Sequence, residues 1–312
     1  MKKNLFFSIL FLLFLVLLNA QNQPCTPDPL FPYQWGFLNT GSYIAPPYNN
    51  PSYFKAGLDI SACEAWEYSE GEGIKIATIS NYAFASFDNG IPSDLIENIP
   101  YITELMDHAG TLLSEMQRLG VIAAQRNNTE FVGVAPKCKL YPIYIKEARF
   151  IPEAIDAALA IDVDIILISF NTNILPWLQG NAPNKIAEIE EKIQYAQTYG
   201  RDGKGCVVIC PSGNGMEEIT NQWPETFVRF PASTNPSIIA VGGINPFGER
   251  VKIVYKSGCN PFTDFHSCYG TGLDVVAPGD YIFSTLSVGY DINYIIDALF
   301  FSTFFFNLHH LF

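Results

Sequence analysis

Between Gly71 and Ala277 the chain alternates short, unbroken apolar runs with longer stretches of helical periodicity, and few folds accommodate that alternation. The runs are Ile74–Ile79, Lys139–Ile145, Asp164–Ser169, Cys206–Cys210, Ile238–Val241 and Leu273–Ala277, each four to seven residues long and rich in β-branched side chains. A strand with one wet face alternates apolar and polar residues, so near-continuous hydrophobicity marks strands covered on both faces. Between the runs, Leu112, Leu113, Met116, Leu119 and Ala123 fall at helical spacing on one face. Ile186, Ile189, Ile193 and Ala196 do the same, with Glu188, Glu190, Glu191 and Lys192 on the wet side. Strand–helix–strand repetition predicts an α/β fold, a doubly wound, mostly parallel sheet with helices on both faces. Chemistry in such sheets collects at the carboxyl ends of the strands.

Composition narrows the class of partner. Charged residues make up 16% and hydrophobic residues 48%, which excludes a disordered chain and a charge-laced coiled coil. Acidic residues number 31 against 18 basic ones, a formal charge of −13, and no Lys/Arg cluster offsets it. Binding a phosphate backbone requires such a cluster, so no nucleic acid partner is expected.

The amino terminus reads as a processing signal. Lys2 and Lys3 precede an apolar run from Leu5 to Leu18, and Asn19-Ala20 follows before Gln21, the pattern of a secretory signal peptide over residues 1–20. The apolar run is shorter than the ~20 residues that span a bilayer, so the mature chain is expected outside the cell and off the membrane. Residues 21–70 begin rich in Pro, Tyr and Asn and are expected to wrap the core in extended form. The main domain is expected over residues 71–290, and an apolar tail over residues 291–312. Seven cysteines is an odd count. Cys259 and Cys268 flank a Pro-containing loop and are the expected disulfide, whereas Cys206 and Cys210 read as small buried side chains on a strand. The four histidines (His108, His266, His309 and His310) are too scattered for a zinc site.

The loops between the strands carry more. Gly133-Val134-Ala135-Pro136 precedes the second run, and Pro211-Ser212-Gly213-Asn214-Gly215 follows the fourth. Phe230-Pro231-Ala232-Ser233 leads into Ile238-Ile239-Ala240-Val241-Gly242, and Leu273-Asp274-Val275-Val276-Ala277-Pro278-Gly279 comes next. Upstream stand Asp28-Pro29-Leu30-Phe31-Pro32-Tyr33-Gln34-Trp35-Gly36 and Cys63-Glu64-Ala65-Trp66. In this order and at these intervals, over about residues 28–290, the chain resembles the subtilisin-like serine proteases, the subtilases. The resemblance implies a seven-stranded parallel sheet, polypeptide substrates, and serine-type peptide-bond hydrolysis by a Ser-His-Asp triad. That chemistry needs a hydroxyl nucleophile, an imidazole to take its proton and a buried carboxylate to orient the imidazole.

Each triad position implied by the resemblance is altered. The family carboxylate follows the first core strand, where Ser80-Asn81-Tyr82 stands here, so Ser80 occupies the Asp position. Asp88 and Asp94 lie further on and read as solvated loop acids. The family's His-Gly-Thr is approximated by His108-Ala109-Gly110-Thr111. Alignment on Gly110-Thr111 puts Ala109 at the imidazole position, alignment on Gly120-Val121-Ile122-Ala123-Ala124 puts Ser114 there, and only an inserted residue restores His108. No Gly-Thr-Ser follows Ala277-Pro278-Gly279, and Ser302 lacks the preceding Gly-Thr. One element survives: Asn214 stands where the family carries its oxyanion-hole amide, the other reading being a loop Asn in a left-handed conformation.

The resemblance also implies a peptide groove at the strand that in the family ends in Ser-x-Gly-Gly. Here Ser169, Phe170 and Asn171 crowd it. Gln125-Arg126-Asn127-Asn128-Thr129 resembles the family's calcium loop, with Asp94 and Asn127 as ligands and no other cofactor required. The family's propeptide and closing helices have no counterpart in the chain, and the tail from Phe300 to Phe312 either covers the exposed apolar surface or marks a disrupted reading frame. The expectation is therefore a degenerate subtilase, incomplete at its C-terminus, secreted and inactive. The alternative is a peptide-binding pseudoprotease using the sheet edge near Ser169 and the Asn214 loop. An unrelated doubly wound nucleotide binder would need a Gly-rich loop after Ile79, and Ser80-Asn81-Tyr82 is not one.

Overall fold

The structure, a computed structural model, describes residues 25–41, 54–80, 94–95, 97–100, 103–104, 113–169, 174–215, 226–253, 265–280, 282 and 284. In chain order these form a short helix α1 (Ala62–Ala65), strands β1 (Lys75–Ser80) and β2 (Thr103–Glu104), helix α2 (Leu113–Ala123), and strand β3 (Lys139–Tyr144). Helix α3 (Ile151–Ala160), strand β4 (Ile165–Ser169) and helices α4 (Ile174–Asn181) and α5 (Asn184–Gly203) follow. Strands β5 (Val207–Pro211), β6 (Asn214–Gly215), β7 (Ile239–Ile244), β8 (Lys252–Ile253), β9 (Phe265–Ser267) and β10 (Val275–Pro278) complete the set.

Seven strands join in one sheet in the order β10-β7-β5-β4-β1-β3-β2, every pair parallel. All six expected runs are strands of this sheet, with ends that agree to within three residues. A three-stranded antiparallel sheet, β6-β9-β8, sits beside it. These last three strands and β2 hold two or three residues each, too few to show a period in the sequence.

Register sorts the side chains into two layers, because residues paired across parallel strands point to the same face. Ile76, Thr78 and Ser80 of β1 share a face with Leu140 and Tyr144 of β3 and with Ile165, Leu167 and Ser169 of β4. The apolar members of that face join one core with Leu119 and Ile122 of α2. Ala77, Ile79, Ile143, Ile166 and Ile168 point the other way. They pack with Ile151, Ala154, Ile155 and Ala158 of α3 and Ile189, Ile193 and Ala196 of α5, each set spaced to make one helical stripe. Helices thus cover both faces, and the doubly wound α/β reading holds.

The amino-terminal segment is not an extended wrap where it is described. Phe31–Tyr33 is a 3-10 turn, and Trp35 and Phe37 are completely buried. The rings of Phe31 and Phe37 meet Trp66, with centroids 5.9 Å and 6.0 Å away, inside the same core as α2. Burial leaves each indole N–H needing a partner. Trp66 Nε1 donates to the Val134 carbonyl at 2.9 Å and Trp35 Nε1 to the Asp280 carbonyl at 3.0 Å. A disulfide joins Cys25 to Cys63, Cα atoms 5.6 Å apart, a pairing that the sequence reading did not select. Cys259 lies outside the described residues, and Cys268 is buried. Cys206 and Cys210 are buried, as expected, and burial raises both thiols, Cys206 to about 11. Residues 1–20 and 291–312 lie outside the described residues. Among the described residues no helix is long and apolar enough to cross a membrane.

Candidate active site

Strand order locates the site before any side chain is considered. From β1 the chain builds outward through β3 and β2, and from β4 it builds the other way through β5, β7 and β10. The order therefore reverses between β1 and β4, and ligands of open α/β sheets bind at the carboxyl ends of such a pair. Those ends are Ser80 and Ser169, which are register partners, and Ser80 is also opposite Tyr144. Ser80 is fully buried and Ser169 nearly so. The β4–β5 ladder ends at Leu167↔Ile209, although β4 runs on to Ser169 and β5 to Pro211. Strand β4 is interior, flanked by β5 and β1, so the expectation of a sheet edge near Ser169 is corrected: the described edges are β2 and β10. What Ser169 borders is the place where two interior strands stop pairing.

Asn214 lies three residues beyond the carboxyl end of β5, the next strand after β4 in the sheet. The chain leaves β5 through Ser212, whose N–H donates to the Val241 carbonyl at 2.7 Å, and turns at Gly213, φ +107°. That positive φ requires glycine and leaves Asn214 extended in β6, so the left-handed reading of Asn214 is overturned. Cys268 N donates to the Gly213 carbonyl at 2.7 Å, and Ser267 Oγ, 3.4 Å from Ser212 Oγ, accepts the Gly243 N–H at 2.9 Å. Asn214 is half-buried and pairs with Ser267, while Gly215 pairs with the buried His266.

A residue that the sequence reading missed enters from α2. Arg118 is almost wholly buried, and its Nη1 donates to Ser169 Oγ and reaches the Ser169 carbonyl at 3.5 Å. It lies one helical turn after Ser114, one of the two positions that align with the family imidazole, and that spacing was the available signal. Next to it Gln117 is buried with no hydrogen-bond partner for Nε2. His108, Phe170, Asn171 and Ser302 lie outside the described residues, as does Asp88.

Asp94 is not a solvated acid. It is only 1% exposed and is committed to the loop that follows α2. Its carboxylate accepts from Thr129 Oγ1, from Asn127 Nδ2 at 3.3 Å and from Phe131 N at 3.3 Å, and its carbonyl accepts from Gln125 N at 2.7 Å. Asp28, equally buried, accepts the N–H groups of Asn127 at 3.2 Å and Asn128 at 2.8 Å and the Thr26 hydroxyl. Burial and the Asp94 charge raise Glu130 above the usual carboxylate range, so negative charge is concentrated here. The two buried carboxylates and the side-chain oxygens of Asn127 and Thr129 are hard donors, the type calcium takes rather than a softer ion, but here Asn127 turns its Nδ2 to Asp94 and loop N–H groups occupy the carboxylates. Among the described residues no cluster of three or more His, Cys, Asp or Glu could hold a metal.

A cavity of about 700 Å³ lies elsewhere, at the amino ends of β5 and β7, lined by Gln194, Gln197, Asn235 and Ser237 among others. Its position opposite the carboxyl ends separates it from the site above.

Comparison with known proteins agrees with this geometry. The peptidase S8 profile, that of the Subtilase family, matches residues 118–298, and the chain belongs to this family. It is 28% identical to neuroendocrine convertase 2 of Homo sapiens over 203 residues, 60% of this chain and 30% of that protein. It is 27% identical to a calcium-dependent protease of Nostoc sp. over 213 residues, 63% of this chain and 30% of that one. The chain thus spans less than a third of the length of either relative. Among solved structures, the Aeromonas sobria serine protease in complex with its chaperone superposes with TM-score 0.53 at 18% identity, covering 81% of this chain and 43% of that one. MycP1 from Mycobacterium smegmatis gives TM-score 0.52 at 18% identity, covering 85% and 72%. At that identity the likeness establishes the fold.

Proposed function

We propose that the protein is a secreted, subtilase-fold peptide-binding domain that does not hydrolyse the peptides it holds. The observation that carries this reading is Ser80, fully buried at the end of β1 between β3 and β4, where the family carries its triad carboxylate. A serine there can accept an imidazole N–H but supplies no charge to stabilise an imidazolium. Replacing the carboxylate with a neutral amide in a serine protease lowers turnover about 10⁴-fold. Asp94 cannot take over, because both of its oxygens are occupied by the loop from Asn127 to Phe131.

What remains favours binding. The parted ends of β4 and β5 offer backbone groups to an extended segment, the usual mode of strand addition, and the Asn214 amide stands beside them. The Cys25–Cys63 disulfide supports an oxidising compartment and hence secretion. Calcium, if bound, would be held by Asp94 and Asp28 with the side-chain oxygens of Asn127 and Thr129, replacing the loop N–H and O–H groups that these carboxylates now accept, and would neutralise both buried carboxylates.

The competing reading is the family's own activity, serine endopeptidase, and one experiment separates the two. Purified protein is treated with a fluorophosphonate probe and, in parallel, with fluorescein-labelled casein and an unstructured casein-derived peptide. The expected result is no heat-sensitive labelling, no casein degradation above a heat-killed control, and saturable peptide binding that Asn214→Ala weakens. Specific labelling with turnover would overturn the proposal in favour of an active protease; absence of both binding and labelling would overturn it outright.

A further inference from the structure

The loop between α2 and β3 carries a motif that the proposed peptide site does not use. Asn127-Asn128-Thr129 is an Asn-x-Thr triplet with a residue other than proline in the middle, the acceptor pattern for N-linked oligosaccharides on secreted proteins. The chain contains one such triplet. Asn50-Pro51-Ser52 and Asn235-Pro236-Ser237 share the spacing, but a central proline disqualifies both.

The fold puts this triplet where a bulky, solvated group can leave the surface. Asn127, Asn128 and Thr129 are all exposed. The backbone beneath them is held: Asp28 accepts the N–H groups of Asn127 at 3.2 Å and Asn128 at 2.8 Å, and Asn128 takes the positive φ of +64° that tightens the turn. Thr129 folds back on Asn127, its N–H donating to Asn127 Oδ1 at 3.1 Å and its hydroxyl standing 2.5 Å from the same oxygen. Asn127 Nδ2 donates to Asp94 Oδ1 over a long 3.3 Å. The amide carries two hydrogens, so replacing one with a sugar leaves the other for Asp94. The Cys25–Cys63 disulfide fits the same oxidising compartment in which such sugars are added.

We propose that Asn127 carries an N-linked oligosaccharide, added as the chain enters the secretory pathway. The new bond joins Asn127 Nδ2 to the anomeric carbon of a lipid-pyrophosphate-linked oligosaccharide. The bond from that carbon to the phosphate oxygen breaks, the lipid pyrophosphate leaves, and one Nδ2 proton passes to a carboxylate base of the transferring enzyme. The assignment rests on the reading of the chain as secreted. Sugar and calcium would use different atoms of the side chain, Nδ2 for the glycan and Oδ1 for the cation. The neighbouring Arg126 pairs with Glu70, just ahead of β1, and the loop leads into the amino end of β3. That is the opposite end of the sheet from Ser80 and Ser169, so the glycan stands away from the peptide site.

The test produces the full chain in a eukaryotic secretory host, once with residues 1–20 and once with a leader of established function in their place. Cell material and medium are both read, because transfer precedes folding and a variant that misfolds is then still scored. Peptide-N-glycosidase should remove a discrete electrophoretic shift from the unsubstituted chain and leave aspartate in place of Asn127 in the peptide mass. Asn127→Gln and Thr129→Ala should each lose the shift completely, whereas Thr129→Ser, which keeps the hydroxyl, should retain it. No shift in the chain with the substituted leader, or a shift that survives Asn127→Gln, overturns the proposal. A shift with the substituted leader alone upholds the acceptor site and overturns the secretory reading of residues 1–20, so the two failures are distinguishable.

Discussion

Removing the Cys25–Cys63 disulfide should weaken the fold without undocking the segment that it ties. The bond closes a loop between residues 38 apart in sequence. In the chain-entropy description, a loop of that length restricts the unfolded ensemble by about 4 kcal/mol, an upper figure because real unfolded chains keep some structure. On the folded side the segment has other anchors. Arg126 Nη2 donates to the Cys25 carbonyl and Nη1 pairs with Glu70 at 2.6 Å, and Trp35 and Phe37 are completely buried. The loss should therefore fall on the unfolded state, with native packing retained. Cys25→Ser/Cys63→Ser is expected to lose about 2–4 kcal/mol in urea unfolding and roughly 5–10 °C in Tm, while near-ultraviolet dichroism from Trp35 and Trp66 stays unchanged. Wild-type protein in dithiothreitol should fall onto the variant's curve. Equal midpoints for oxidised and reduced protein, with both thiols shown free by mass, would refute the entropic reasoning; loss of the tryptophan signal would show that the bond instead holds the segment in place.

Two further outcomes follow from positions already described. Calcium should raise Tm relative to a chelated sample, and Asp94→Asn, which keeps the shape but removes the charge, should abolish the difference when the two are compared by scanning calorimetry. Gly133→Ala should be severely destabilising, by about 3 kcal/mol or more in chemical denaturation, because an added Cβ would lie 2.5 Å from the Ala124 nitrogen and 2.6 Å from the Ala123 nitrogen, where backbone at the end of α2 cannot give way; a near-neutral result would mean that this loop shifts freely.

The interior strands were legible because burial on both faces leaves a local mark, a run such as Ile165–Ser169 with no polar interruption. The features that escaped are those whose partners lie far away in sequence. Asp94 reads as a loop acid until Thr129 and Phe131, 35 and 37 residues on, close around it. Arg118 sits inside a helical pattern that says only which face is apolar, and its burial depends on Ser169, 51 residues downstream. The Cys25–Cys63 pair escaped because its members are 38 residues apart and become neighbours only after Trp66 and Phe37 have packed, while the expected Cys259–Cys268 pair involves a residue outside the described ones. Pro and Tyr between Gln21 and Pro51 suggested a wrapping strap, but Phe31, Trp35 and Phe37 behave as core residues that happen to precede the sheet.

The bond from the Trp35 indole to the Asp280 carbonyl bridges 245 positions. One anchor of the amino-terminal segment thus waits for Asp280, just beyond β10, whereas other anchors lie within residues 63–132. Folding of this kind is topologically slow, since distant ends must meet before either is rewarded. The Trp35 indole therefore ties the outermost described strand on one side of the sheet to the amino-terminal aromatic cluster, and loosening either end of that tie should be felt at the other.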